Sequence, residues 1–193
     1  MFKRDLLMID MEFTGIDIAK HEIIQIAAIV LDKKTLKEKQ SFMTYVKPKN
    51  WKNRQAEAIA INNITWDQLK DAPDIKKVLQ KFNKTFKSDL TPTLYGGRLD
   101  TIFLSHAYRD SNIKYPFDYH MYDIWPLCYT FMAKHKQLKN KGRHLGFSLE
   151  HVGDFLGVKR MADRHDALGD CLYQAAVLRA LIKAMKAERK VKR

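Results

Sequence analysis

Leu6-Leu7-Met8-Ile9 runs without a polar break into Asp10-Met11-Glu12. An apolar run of this length reads as a buried strand, and alternation along a strand turns Asp10 and Glu12 to one face. Ile23 to Leu31, apolar and β-branched, predicts a second strand, and Lys37 to Val46 a third. The links between them are short, as in an antiparallel meander, and Pro48 closes it. The period then changes. Arg54 to Ile61 has helical character, and Thr65-Trp66-Asp67-Gln68 has the form of a capping box opening a short helix. Pro73 suits a first helical position, with Ile75, Val78, Leu79, Phe82 and Phe86 following at helical spacing. Thr93-Leu94-Tyr95 predicts a short strand broken by Gly96-Gly97, and Asp100 lies at the start of a helix carrying Ile102, Phe103, Leu104 and Tyr108. Tyr119 to Ile124 reads as a strand and Trp125 to Lys134 as a helix. Ser148 caps a further helix with Leu149, Val152, Phe155 and Leu156 inward and Gly157 as its stop. A last long helix runs from Asp166 to about Glu188. A strand meander followed by alternating helices and strands predicts an α/β fold, a mixed sheet with helices on its faces.

Composition adds size and partner. With 193 residues, 46% of them apolar, the chain is expected to fold as one domain over 1–185 with a basic tail over 186–193. Its 35 basic and 22 acidic residues leave +13, which favours a polyanionic partner, nucleic acid above all. No 18-residue apolar span and no lipidation motif supports a membrane partner. Charges interrupt the first 20 residues, so no signal peptide is expected. Cys128 and Cys171 fit neither a zinc ribbon nor a disulfide framework; buried thiols in a reducing cytoplasm are the expectation.

The chemistry begins with the paired acids. Burying a carboxylate costs several kcal/mol unless it is paired or metal-bound, and a second one beside it adds repulsion. A cation relieves both, so Asp10 and Glu12 are candidate ligands of a divalent metal. Further ligands are candidates at His165-Asp166-Ala167-Leu168-Gly169-Asp170, where small Ala167 and Gly169 let the turn sit close to another element. The plainer reading makes Asp166 an N-cap and Asp170 a partner of the helix dipole. Asp100, too, has an N-cap reading.

In order, Asp10-x-Glu12, Asp100 and His165-x-Ala167-x-x-Asp170 resemble the three motifs of the DEDDh 3′→5′ exonucleases, the family of ribonuclease T, oligoribonuclease and the proofreading subunit of bacterial DNA polymerase III. Ile9 to Gly15, Ile23-Ile24-Gln25-Ile26-Ala27, Asn63-Ile64-Thr65, Leu99 to Leu104 and His165 to Ala176 extend the likeness over nearly the whole chain. One departure stands out: Tyr95-Gly96-Gly97-Arg98 replaces the His-Asn pair that many members carry before the second aspartate. The resemblance implies a ribonuclease H-like fold, a five-stranded sheet with an antiparallel meander and then parallel strands. It implies two Mg²⁺ or Mn²⁺ ions, as an all-oxygen ligand set also suggests. Asp10 would bridge them, with Glu12 and Asp170 on the ion that carries the attacking water and Asp100 beside the leaving 3′ oxygen. His165 would be the general base, a task suited to a side chain that ordinarily titrates near ~6.5. The implied activity is hydrolysis of DNA or RNA from a free single-stranded 3′ end, releasing nucleoside 5′-monophosphates. Family members occur as monomers and dimers, so a homodimer is admitted.

Substrate contacts are expected at Thr14 and Gly15, whose backbone follows the metal strand directly. By resemblance Ile64 packs against a base; its other reading is a core residue at a helix start. The basic linker Lys134 to Arg143 and the tail Lys186 to Arg193 are either phosphate-tracking or solvated surface. The remaining histidines lack metal-ligand spacing, and Trp51, Trp66 and Trp125 read as packing residues. The rival to an enzyme is a catalytically silent nucleic-acid-binding protein of the same fold.

Overall fold

The computed structural model describes residues 2–141, 144–146, 148–161 and 165–191, with side chains at all of these except 139–141, 144–146 and 189–191. The order is β1 (Leu6–Phe13), β2 (Ile23–Leu31), β3 (Glu38–Tyr45), α1 (Ala56–Asn62), α2 (Trp66–Leu69), α3 (Ile75–Thr85), β4 (Thr91–Leu94), α4 (Arg98–Asp110), β5 (Tyr122–Asp123), α5 (Trp125–Lys134), β6 (Lys139–Lys141), β7 (His144–Gly146), α6 (Leu149–Phe155) and α7 (Ala167–Val191). Five strands form a mixed sheet in the order β3-β2-β1-β4-β5. β1 is its centre, antiparallel to β2 (Leu6 opposite Leu31) and parallel to β4 (Leu6 opposite Thr91).

Alternation along β1 supplies two cores. Leu7, Ile9 and Met11 pack with Val78, Leu79 and Phe82 of α3 and Phe103, Leu104 and Tyr108 of α4. Leu6 and Met8 face the other way, against Ala27 and Ile29 of β2 and Ala167, Cys171, Ala175 and Leu178 of α7. Small side chains on both partners let α7 lie close across β1 and β2. Each buried Leu, Ile or Met contributes roughly 1.5–3 kcal/mol. Both cysteines are buried free thiols, as expected. No described helix is long and apolar enough to cross a membrane.

Several local expectations change. Asp74 caps α3 by accepting from the Lys77 amide (2.9 Å), so Pro73 lies before the cap and not inside the helix. The strand expected over 119–124 shrinks to Tyr122–Asp123, because only Thr93 and Leu94 offer partners, and Tyr119 is exposed. The basic linker contains a small hairpin, Lys139–Lys141 against His144–Gly146. Lys134 ends α5 and pairs with Glu188 of α7, so it is not an unpaired phosphate clamp. Arg143 and the side chains of Arg189 to Arg193 lie outside the described residues; the backbone of α7 is helical to Val191. Phe155, expected inward, is 40% exposed.

Candidate metal centre

The sheet stops short where the acids begin. Pairing of β1 with β4 ends at Met8 opposite Thr93, so Asp10 and Glu12 extend past the neighbouring strand. They share the face that Leu6 and Met8 turn to α7. Asp100 sits in the first turn of α4, and Asp170 in the first turn of α7. A side chain to which the sequence reading gave no role fixes the start of α7. Gln25, on β2, accepts from the Ala167 amide (3.0 Å) and donates to Asp166 (3.2 Å). Asp166 in turn accepts from the Gly169 amide (2.9 Å), so its N-cap reading is correct. His165, just upstream, has φ 61°, the left-handed region.

Glu12, His165 and Asp170 each offer a ligand atom, and these atoms lie within 4.8 Å of one another. Asp10 and Asp100 join them electrostatically. Burial, then repulsion from Asp100, Asp170 and Glu12, pushes the Asp10 carboxyl well above its ordinary range. Burial, then Asp170 and Asp100, pushes Glu12 up to about 8. Burial raises Asp100 to about 6, although its own amide and that of Met11 pull the other way. Four acids that repel one another in this way converge on one place.

Two neutral amides steady the group. Gln174 of α7 donates to Asp10 (2.8 Å), and Asn62 of α1 hydrogen-bonds Glu12 while also donating to the Phe13 carbonyl (3.1 Å). The sequence assigned neither a role: Gln174 lies on the largely buried α7, and Asn62 is the one buried residue of α1. Neither amide neutralises charge. Clustered oxygen donors whose burial raises their pKa suit a hard divalent cation, so the residues present fit Mg²⁺ or Mn²⁺.

A pH dependence follows. Glu12 holds its proton more tightly folded than unfolded, so the stability this contributes is complete below the unfolded value of 4.5 and is lost as pH rises through about 8. The melting temperature of the protein in a chelator is therefore expected to fall between pH 5 and 8. Mn²⁺ should restore it, with a larger gain at pH 8 than at pH 5. A profile that is flat in the chelator and insensitive to Mn²⁺ would contradict the cluster.

The expected substrate contacts fare differently. Thr14 is buried, and both its backbone groups are taken: its amide donates to the Glu22 carbonyl (2.9 Å) and its carbonyl accepts from the Gln55 amide (2.7 Å). Its hydroxyl also accepts from the Glu22 amide (2.9 Å), so Thr14 closes the turn with its backbone and its side chain. Gly15 is required by space, since a Cβ there would lie 2.5 Å from the Gln55 side chain and 2.6 Å from the His21 ring. That turn presents Ile16, which sequence reasoning passed over, 67% exposed four positions beyond Glu12. Ile64 is 3% exposed and packs with Ile24 and Leu69, so the core reading is the correct one. Ile64→Ala should cost about 2–5 kcal/mol in denaturant unfolding and leave KM for an oligonucleotide unchanged. A raised KM at unaltered stability would restore the base contact.

The fold is similar to those of solved nucleases. Cell-death related nuclease 4 matches with a TM-score of 0.74 at 20% identity, over 94% of this chain and 64% of that one. The nuclease domain of 3′hExo, a DEDDh family member bound to rAMP, matches with 0.73 at 21%, over 94% and 92%. E. coli exonuclease I in complex with a dA16 oligonucleotide matches with 0.76 at 19%, over 93% and 41%. The chain thus spans under two thirds of the first and under half of the last. No curated protein matches the chain in sequence. The exonuclease family model, RNase T, matches residues 7–178, from the acid-bearing strand into the first half of α7. The chain belongs to the RNase T exonuclease family.

Proposed function

We propose that the protein is a metal-dependent 3′→5′ exonuclease acting on single-stranded DNA or RNA ends and releasing nucleoside 5′-monophosphates. The observation that carries this reading is the convergence of Asp10, Glu12, Asp100 and Asp170 at the end of β1 with His165 beside them. Asp10, Glu12, Asp100 and Asp170 would hold two Mg²⁺ or Mn²⁺ ions. Such ions, when bound, acidify a water and stabilise charge on the attacking and leaving oxygens of an in-line displacement. His165 accepts the water's proton at an imidazole nitrogen. Gln174 and Asn62 orient Asp10 and Glu12. Ile16 offers an exposed apolar surface for the terminal base at the rim. The net charge of +13 favours the polyanion.

The test is a degradation ladder on 5′-labelled and 3′-labelled DNA and RNA oligonucleotides with Mn²⁺ or with a chelator. A ladder shortening from the 3′ end only with Mn²⁺, and absent for Asp10→Asn, is expected. Binding without cleavage would overturn the reading and leave a silent nucleic-acid-binding protein.

A further inference from the structure

Arg160, upstream of α7 and absent from all three motifs, lies against one of the four acids. Its Nη1 donates to Asp170 Oδ1, its Nη2 donates to Glu150 Oε1 at 3.0 Å, and its guanidinium lies 4.3 Å from the centre of the Tyr173 ring. Only 16% of the side chain is exposed. The other oxygen of Asp170, Oδ2, accepts from the His165 amide at 3.1 Å. The Asp170 carboxylate is thus gripped on both oxygens, by a cation on one side and by the backbone of the candidate base on the other. The rotamer of Arg160 is itself fixed by a carboxylate and an aromatic face. A carboxylate has about four acceptor sites, so two remain for another partner.

We propose that Arg160 is a positioning residue of this site: it fixes the Asp170 carboxylate so that Asp170 can ligate a divalent ion while holding the His165 backbone in its left-handed turn. The inference rests on the nuclease reading for its consequence in catalysis, and on the geometry alone for its consequence in metal binding. Glu150 and Tyr173 brace the guanidinium, and the guanidinium braces the acid. Hydrogen-bond partners of metal ligands act in this way generally, and their loss typically costs about 10–100-fold in metal affinity or activity.

The experiment compares wild type, Arg160→Met and Arg160→Lys by Mn²⁺ titration calorimetry without substrate, and by kcat and KM on a short single-stranded oligonucleotide. For Arg160→Met, Mn²⁺ affinity should fall about tenfold and kcat about 10–100-fold with KM unchanged. Lysine keeps the charge without the fork that spans Asp170 and Glu150, and should recover only part of either loss. Should Arg160→Met fail to fold, Glu150→Gln removes the outer brace and should shift both readouts the same way by a smaller factor. Wild-type Mn²⁺ affinity and kcat in a folded Arg160→Met would overturn the proposal. So would tighter Mn²⁺ binding, which would make the arginine a competitor of the ion. A rise in KM alone, steepening with salt, would make it a phosphate contact and would likewise overturn it. If wild type binds Mn²⁺ but cleaves nothing, the nuclease reading fails, while the calorimetric difference still decides the role of Arg160.

Discussion

Asp10→Asn is expected to abolish release of nucleoside monophosphates while raising the melting temperature of the metal-free protein. The two effects have one origin. Asp10 is a carboxylate disfavoured first by burial and then by repulsion from three others. An amide of the same shape removes the repulsion and still accepts from Gln174, whose donor nitrogen lies 2.8 Å from Oδ1. Every kcal/mol gained raises the melting temperature of a chain this size by about 2–4 °C. The same change removes a buried carboxylate on which Asp100, Asp170 and Glu12 all act, and which the family resemblance places on both ions, so the loss of rate should exceed the 10²–10⁴-fold typical for an acid–base group. Calorimetric melting in a chelator and a 5′-labelled oligonucleotide assay in Mn²⁺ check the pair. A variant that melts lower, or that retains turnover, would show that Asp10 is a structural acid.

His165→Asn should lose about 10²–10⁴-fold in kcat and fold as the wild type does. Asparagine is the informative replacement because the backbone at 165 has φ 61°. Asparagine tolerates the left-handed region far better than alanine or a branched residue, so strain does not confound the result. The imidazole also lies within 4.8 Å of ligand atoms of Glu12 and Asp170, close enough to bind an ion itself. Mn²⁺ affinity separates the two roles. A base leaves the affinity of the variant near wild type, whereas a ligand loses affinity and rate together.

The acids of β1 were legible because a period of two puts residues 10 and 12 on one face however the chain folds around them. Asp100 and His165-x-x-x-x-Asp170 were legible because helix starts announce themselves through caps and breakers, and because the motif order is distinctive. The supporting residues were not. Gln25, Asn62, Gln174 and Arg160 carry no local pattern; each matters through a partner 10 to 164 positions away. Ile64 shows the limit from the other side. An apolar residue before a short helix has the same local signature whether it meets a base or the core, and only Ile24 and Leu69 decide it. The hairpin at Lys139–Lys141 was missed for want of apolar alternation, and β5 was overextended because its length depends on how little of β4 is left to pair.

The clasp between Gln25 and the first turn of α7 also has a consequence for biosynthesis. A ribosome makes about 5–20 residues per second, so the hairpin carrying Asp10 and Glu12 waits roughly 10–30 s for the residues that complete its constellation. Over that interval the nascent chain carries an acidic strand end without α7 to cover it, and the candidate centre lacks His165 and Asp170.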